Sequence, residues 1–152
     1  MKGFVERGGL WVAGQLVLLL CVALLALRYP GTGSVFWSCA GTLGIVLAAV
    51  LAAAGVKELG RNLTPFPTPS DKGHLVQHGI YARIRHPLYT SVILAGFGWA
   101  LAWLSWPSAL AVVALIPFFH AKSRREEKLL RLRFPEYREY ETHTHRFLPW
   151  IY

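Results

Sequence analysis

Long apolar runs separated by short polar segments dominate the first two thirds of the chain. Residues 10–27 form one run, broken only by Gly14 and Gln15, and residues 35–56 form a second. A helix of 18 residues at about 1.5 Å per residue is roughly 27 Å long, close to the hydrocarbon thickness of a bilayer. Arg28 is the only charged residue between positions 10 and 56. The pattern predicts two transmembrane helices joined by a short turn.

Two further apolar runs predict a second pair of helices. Residues 88–104 form the third predicted span and residues 107–121 the fourth, and the link between them is too short for anything but an antiparallel hairpin. We expect the fourth helix to continue through Arg133, with a possible kink at Pro117 and its second half in water. The sequence therefore predicts one all-α domain over residues 1–152, a polytopic membrane protein with four transmembrane helices.

A polar segment separates the second and third spans. Pro65, Pro67 and Pro69 favour an extended connector, because alternate prolines cannot continue a helix. The cation-rich stretch 75–89, LVQHGIYARIRHPLY, follows it and ends where Pro87 permits a helix to begin. A charged loop between membrane helices indicates a ligand site at the membrane surface.

Positive charge concentrates at one end of the predicted bundle. The formal net charge is +8, and Arg28 is the single Lys or Arg on the side opposite the N-terminus. The positive-inside rule places both termini and the 57–87 loop in the cytoplasm, and we expect a prokaryotic inner membrane with a retained first helix. Anionic lipid headgroups explain this charge better than nucleic acid, since the apolar runs leave little chain for a soluble nucleic-acid module.

Two polar pairs are candidates for ligand contacts. Arg85 and His86 precede the third span, where free N–H groups at a helix start attract a carboxylate or phosphate. Glu126 and Glu127 lie on the fourth helix, and a carboxylate there could bind an ammonium group or act as a base. Adjacent helical positions face different ways, so at most one Glu points into a given pocket. Simpler explanations stay open: lipid phosphates for the arginines, and pairing with cations of the same helix for the acids.

The histidines do not predict a metal site. His74 and His78 are four residues apart, and His143 and His145 are two apart, but no cysteine or acid completes a ligand set. Both cysteines lie within apolar runs, and we interpret them as buried thiols. His120 is the polar residue nearest the membrane on the fourth helix, so it could line a pocket or lie at the interface.

An ordered set of short motifs resembles the superfamily of isoprenylcysteine carboxyl methyltransferases and phospholipid methyltransferases, which are integral membrane enzymes. The resemblance runs from about residue 59 to residue 149. Its motifs are Leu59-Gly60-Arg61, Leu75, Gly79, Tyr81, Arg85-His86-Pro87-Leu88-Tyr89, Glu126-Glu127, Leu130, Phe134-Pro135-Glu136-Tyr137, Tyr140, Arg146 and Pro149. Gly96-Phe97-Gly98 is also similar to a Gly-x-Gly of phospholipid methyltransferases, although helix packing is the commoner reason for such glycines.

The resemblance implies methyl transfer from S-adenosylmethionine to a lipophilic acceptor, a carboxylate or an amine, at the cytosolic membrane face. The implied cofactor contacts are Leu75, Gly79, Tyr81, Arg85, His86, Pro87, Tyr89, Glu126, Tyr137, Tyr140, Arg146 and Leu148. Glu127 and His120 are the candidate catalytic residues, because an amine acceptor must lose a proton. The implied partners are membrane lipids and a hydrophobic acceptor, with no nucleic acid and no metal.

Two other functions fit parts of the same pattern. Membrane sterol-type reductases, which use NADPH, also resemble this architecture, and their tails are similar to Pro149-Trp150-Ile151-Tyr152. The double Glu followed by Phe-Pro-Glu-Tyr fits the methyltransferases better. A non-catalytic lipid-binding protein is the third possibility, in which the charged loop would only clamp headgroups.

Overall fold

The regular elements of the protein are helices. A computed structural model describes residues 3–69 and 73–148 of the chain. Its α-helices are α1 (Gly9–Arg28), α2 (Val35–Leu59), α3 (Pro87–Ala102), α4 (Trp106–Arg133) and α5 (Tyr137–Thr142). Two short 3₁₀ turns, Gly60–Asn62 and Gly79–Ala82, flank the connector between α2 and α3. The predicted all-helical architecture is confirmed.

The helices follow the apolar runs closely. By length and composition, α1 and α2 can each cross a membrane, while α3 is apolar but shorter. Helix α4 runs without interruption through Pro117 to Arg133, as the sequence predicts. The four-span count and the cytoplasmic orientation of the termini stay predictions. Residues 149–152, whose similarity to reductase tails is noted above, lie outside the described part of the chain.

Glycines allow α2 and α3 to pack closely. A Cβ atom at Gly41 would lie 2.4 Å from the Ala102 backbone nitrogen, and one at Gly98 would lie 2.7 Å from the Gly41 carbonyl oxygen. The backbones of α2 and α3 therefore approach each other closely, because neither glycine places a side chain in the contact. Gly96 instead faces α4, where an added Cβ would lie 3.0 Å from Val112. The Gly-x-Gly of α3 thus serves packing on two sides.

Helices α1, α3 and α4 share the main apolar core. Val22, Val112, Leu115 and Phe119 are buried together. The Ser108 hydroxyl adds a 2.8 Å hydrogen bond to the Val22 carbonyl across the α1–α4 contact. Phe119 also stacks on Tyr89 at a ring-centroid distance of 4.8 Å, which holds the part of α4 that leads to the two glutamates close to the start of α3.

The interpretation of the cysteines as buried thiols is wrong. Cys21 on α1 and Cys39 on α2 are both exposed on the protein surface. An apolar run that spans a bilayer is apolar on every side, so its sequence does not tell which positions face protein and which face lipid.

Candidate functional site

The C-terminal segment pairs with the loop that precedes α3. Ile84 and His145 form a parallel β-bridge. The Arg85 amide donates a 2.8 Å hydrogen bond to the His145 carbonyl, and the His86 amide donates a 3.1 Å bond to the Arg146 carbonyl. This pairing brings residues about 60 positions apart to the same end of α4.

Glu127 is the acceptor at the centre of a buried ionic cluster. Its carboxylate is 1 % exposed. It accepts hydrogen bonds from Arg85 Nε at 3.1 Å, His86 Nε2 at 3.2 Å and Arg146 Nη2 at 2.7 Å. Arg85 also donates through Nη1 to the Thr144 carbonyl. The cluster ties the loop, α4 and the C-terminal segment together.

The ionic cluster keeps Glu127 charged. Burial by itself raises the pKa of this carboxyl, but the hydrogen bonds from His86 and Arg146 outweigh it and hold the pKa below its ordinary value. A carboxylate with a lowered pKa and several donors is a weak proton acceptor. The geometry therefore indicates that Glu127 organises the site.

Glu126 points in a different direction from its neighbour. The Tyr89 hydroxyl donates a 2.6 Å hydrogen bond to Glu126 Oε2. The Tyr89 ring is stacked between His86 and Phe119, at centroid distances of 5.2 and 4.8 Å. Tyr89 thus orients the Glu126 carboxylate, which is 27 % exposed and available to a ligand.

Glu126 lines a cavity between the connector, the loop and the α4–α5 turn, which we term the Glu126 cavity. Other residues of its lining are Leu59, Asn62, Thr64, Phe66, His74, Leu75, Val76, Tyr81, Arg85, Leu130, Phe134, Tyr137 and Tyr140. Its volume is about 100 Å³. Ligand pockets commonly enclose roughly 300–1,000 Å³, so the cavity among the described residues is smaller than a nucleoside-sized ligand usually occupies.

Buried tyrosines supply uncharged donors around this cavity. Burial raises the pKa of Tyr81, Tyr137 and Tyr140, so each phenol keeps its proton at neutral pH. The Tyr140 hydroxyl donates a 2.7 Å bond to the Tyr81 carbonyl. The Tyr137 hydroxyl is buried and bonds to no other described residue. An orphaned buried donor in a cavity wall favours a ligand acceptor there.

The structure divides the predicted site residues into two groups. The first group lines the Glu126 cavity and comprises Leu75, Tyr81, Arg85, Glu126, Tyr137 and Tyr140. The second group lies outside the described cavity lining and comprises Gly79, His86, Pro87, Tyr89, His120, Glu127, Arg146 and Leu148.

Members of the second group occupy defined places elsewhere. His86, Tyr89 and Arg146 hold the two glutamates. Gly79 has φ +60°, and a Cβ there would lie 2.5 Å from the Glu58 carboxyl carbon. Glu127 and His120 line a separate cleft on another side of α4. A cofactor contact for these residues, and a catalytic role for the last two, stay predictions.

Sequence reasoning missed two polar contacts near the cavity. Asn62 Oδ1 accepts a 3.2 Å hydrogen bond from the His74 amide, and this bond joins the two ends of the connector. Lys122 is 1 % exposed, and its ammonium donates to Gln15 Oε1 at 2.7 Å and to the Pro65 carbonyl at 3.1 Å. Gln15 interrupts the first apolar run, and this interruption was the one signal of a polar partner in α1.

The histidines have other partners in the described ranges. His78 pairs with Glu58 at 3.0 Å, and the His143 ring lies 2.9 Å from the Thr142 hydroxyl. Within residues 3–69 and 73–148, no group of three His, Cys, Asp or Glu side chains is placed to hold a metal ion.

Comparisons with known proteins agree on one family. The sequence profile of the phospholipid methyltransferase family matches residues 36–136. A probable protein-S-isoprenylcysteine O-methyltransferase from Oryza sativa, in both subspecies indica and japonica, is 30 % identical over 158 residues. That match covers 97 % of this chain and 82 % of the rice protein.

A solved structure shares the fold. The eukaryotic intramembrane Ras methyltransferase, isoprenylcysteine carboxyl methyltransferase, superposes with a TM-score of 0.73 at 21 % identity. The superposition covers 95 % of this chain and 53 % of the other protein, so this chain spans about half the length of that enzyme.

Apolar helices with a polar site at the adjoining ends of α3 and α4 define a class of helical membrane protein. Within that class, the sequence matches and the shared fold identify the relatives of this chain. The chain belongs to the superfamily of membrane methyltransferases that includes isoprenylcysteine carboxyl methyltransferases and phospholipid methyltransferases.

Proposed function

We propose that this protein transfers a methyl group from S-adenosylmethionine to a lipophilic acceptor at the cytosolic membrane face. The observation that carries the proposal is the position of Glu126, a partly exposed carboxylate that Tyr89 holds in the wall of a cavity also lined by Arg85. Family membership supports the reaction class.

The cavity lining matches the chemistry of the proposed methyl donor. Arg85 would bind its carboxylate and Glu126 its ammonium group, since charge-assisted hydrogen bonds are the strong ones. Tyr81, Phe134 and Tyr137 offer aromatic faces for adenine, and the orphaned Tyr137 hydroxyl offers one further donor. When bound, S-adenosylmethionine supplies a sulfonium methyl group, whose S–C bond breaks as the acceptor forms its own bond to that carbon.

The protein's own contribution is alignment and exclusion of water. The Glu127 cluster fixes the loop against α4, so that the cavity groups are held in place before a ligand arrives. A carboxylate acceptor needs no base. An amine acceptor must also release a proton.

A lateral groove gives the acceptor's tail a place to lie. Leu19 and Val22 of α1, Ile45 of α2, and Val92 and Trp99 of α3 are among the residues that line an apolar groove of about 430 Å³. The groove reaches Val92, one helical turn after Tyr89. It supports an acceptor with a long hydrophobic chain, whose reactive end approaches the cavity along α3.

Calorimetry in lipid nanodiscs tests the donor. We expect S-adenosylmethionine and S-adenosylhomocysteine to bind, and NADPH not to bind. Folded protein that binds neither adenosyl compound would contradict the proposal, and binding of NADPH alone would favour the reductase.

Radiolabelled methyl transfer tests the acceptor class. A prenylcysteine analogue and phosphatidylethanolamine would be offered separately. Alkali releases volatile methanol from a methyl ester but not from an N-methyl amine, so the label's lability distinguishes the two products. Transfer to neither acceptor, with the donor bound, would contradict a lipid substrate of these two classes.

A further inference from the structure

A second cleft lies beside α4, separate from the Glu126 cavity, and we term it the cationic cleft. Its cationic and titratable lining consists of His120, Arg124, Arg125, Lys128 and Arg131 from α4 and Arg146 from the C-terminal segment. The cleft has a volume of about 650 Å³. Glu127 is the single acid of this lining and is buried beneath it, already bonded to Arg85, His86 and Arg146.

The charge of the cleft therefore favours an anion. Arg124, Arg125 and Lys128 are exposed. Like charges on neighbouring turns of one helix repel each other unless an anion lies between them. Arg146 is bonded to Glu127, and Arg131 pairs with Glu141 at 2.6 Å, so the charge at the mouth of the cleft comes from Arg124, Arg125 and Lys128.

The side of α4 that carries these cations is apolar nearer the start of the helix. Val113 and Ile116 are 49 % and 42 % exposed. They precede His120, Arg124 and Lys128 at helical spacings of three and four residues, so all five lie along one side of the helix. An exposed apolar surface next to a cationic one is complementary to a phospholipid, because the acyl chain can lie on the apolar part and the phosphate on the cationic part.

We propose that the cationic cleft binds the phosphate of an anionic phospholipid, whose acyl chain lies along Val113 and Ile116. The exposed apolar residues on this side of α4 favour a membrane lipid over free phosphate, because free phosphate would contact only the cations. The cleft shares no lining residue with the Glu126 cavity, and the proposal does not depend on the proposed function, because lipid binding can be measured without any reaction.

Native mass spectrometry of lipid retained by the full chain tests this site. The protein would be purified in mild detergent and supplied with equal amounts of phosphatidylglycerol and phosphatidylcholine. We expect preferential retention of phosphatidylglycerol, and loss of about tenfold or more of that retention in Arg124→Gln/Lys128→Gln, because each cation near an anionic headgroup adds measurable affinity.

Lys57→Gln/Arg138→Gln is the matched control. It removes the same charge from two exposed cations outside the cleft, and we expect its lipid retention to equal that of the wild type. Equal retention by wild type and the cleft variant, or equal loss in both variants, would overturn the proposal. Displacement of the lipid by the same concentration of glycerol phosphate would also overturn it, since that result would indicate a site for the free anion.

Discussion

Tyr89 and Glu126 are joined by a 2.6 Å hydrogen bond between the phenol and the carboxylate, across the contact of α3 with α4. Neighbouring positions of a helix are about 100° apart around its axis, so this bond directs Glu126 into the cavity while Glu127 meets the cations on another side. Two identical residues, adjacent in sequence, thereby acquire different environments: one partly exposed, the other buried in an ionic cluster.

The first prediction concerns ligand binding by Glu126. We expect Glu126→Gln to weaken S-adenosylmethionine binding by about tenfold or more, because a neutral amide loses the charge-assisted bond to the ammonium group. Tyr89→Phe, which removes only the orienting hydroxyl, should weaken binding by about three- to tenfold. Calorimetry measures both. His143→Ala is the control, since this exposed side chain lies outside the cavity lining; an equal loss in all three variants would indicate general instability.

The second prediction concerns the fold. Glu127→Ala leaves Arg85, His86 and Arg146 without their shared acceptor. Breaking a buried ion pair by removing one partner costs about 3–5 kcal/mol, so we expect a clear fall in Tm. Thermal unfolding in detergent measures it, with the exposed Glu136→Ala as control. An unchanged Tm together with abolished methyl transfer would show that Glu127 acts in the chemistry instead.

The third prediction is a pH dependence of stability. The folded protein lowers the pKa of Glu127 from its ordinary value of 4.5. Its stabilising contribution is therefore fully present above that value and is lost as pH falls through the lower folded pKa. Other carboxyls titrate in the same range, so the quantity to measure is the difference in Tm between wild type and Glu127→Gln. We expect this difference to shrink as the pH falls below about 4.5; a difference that grows below that pH would contradict the ionic cluster.

The fourth prediction concerns the α2–α3 contact. Gly41→Ala places a Cβ atom 2.4 Å from the Ala102 backbone nitrogen, which forces the helices apart. We expect destabilisation of about 1–3 kcal/mol, the usual effect of overpacking. Gly44→Ala on the same helix is the matched control, because its Cβ would lie at an ordinary 3.4 Å from Gly98. Equal Tm values for the two variants would contradict this packing.

Much of the fold could be predicted from apolar runs and prolines. The run at 10–27 becomes α1 (Gly9–Arg28), and Pro87 begins α3, because the missing N–H of proline is not needed at a helix start. The candidate site was predicted in outline, since the cation-rich loop and the two glutamates do meet. The roles within it could not be predicted, because a list of polar residues does not say which side of α4 faces the cavity.

Residues far apart in sequence make up the rest of the site. Arg146 reaches Glu127 only because the C-terminal segment pairs with the loop at Ile84, and no local pattern encodes that pairing. Lys122 lies buried over the connector because Gln15 and Pro65 supply acceptors from elsewhere in the chain.

Local composition and ordered motifs were enough to predict the helices, the proline connector, the cation-rich loop and the family. Three-dimensional packing was needed to show which glutamate enters the cavity, which cations surround the other, and where the cationic cleft opens. Those outcomes depend on the rotation of α4 about its axis. That rotation is set by packing against α1 and α3 and by the return of the C-terminal segment.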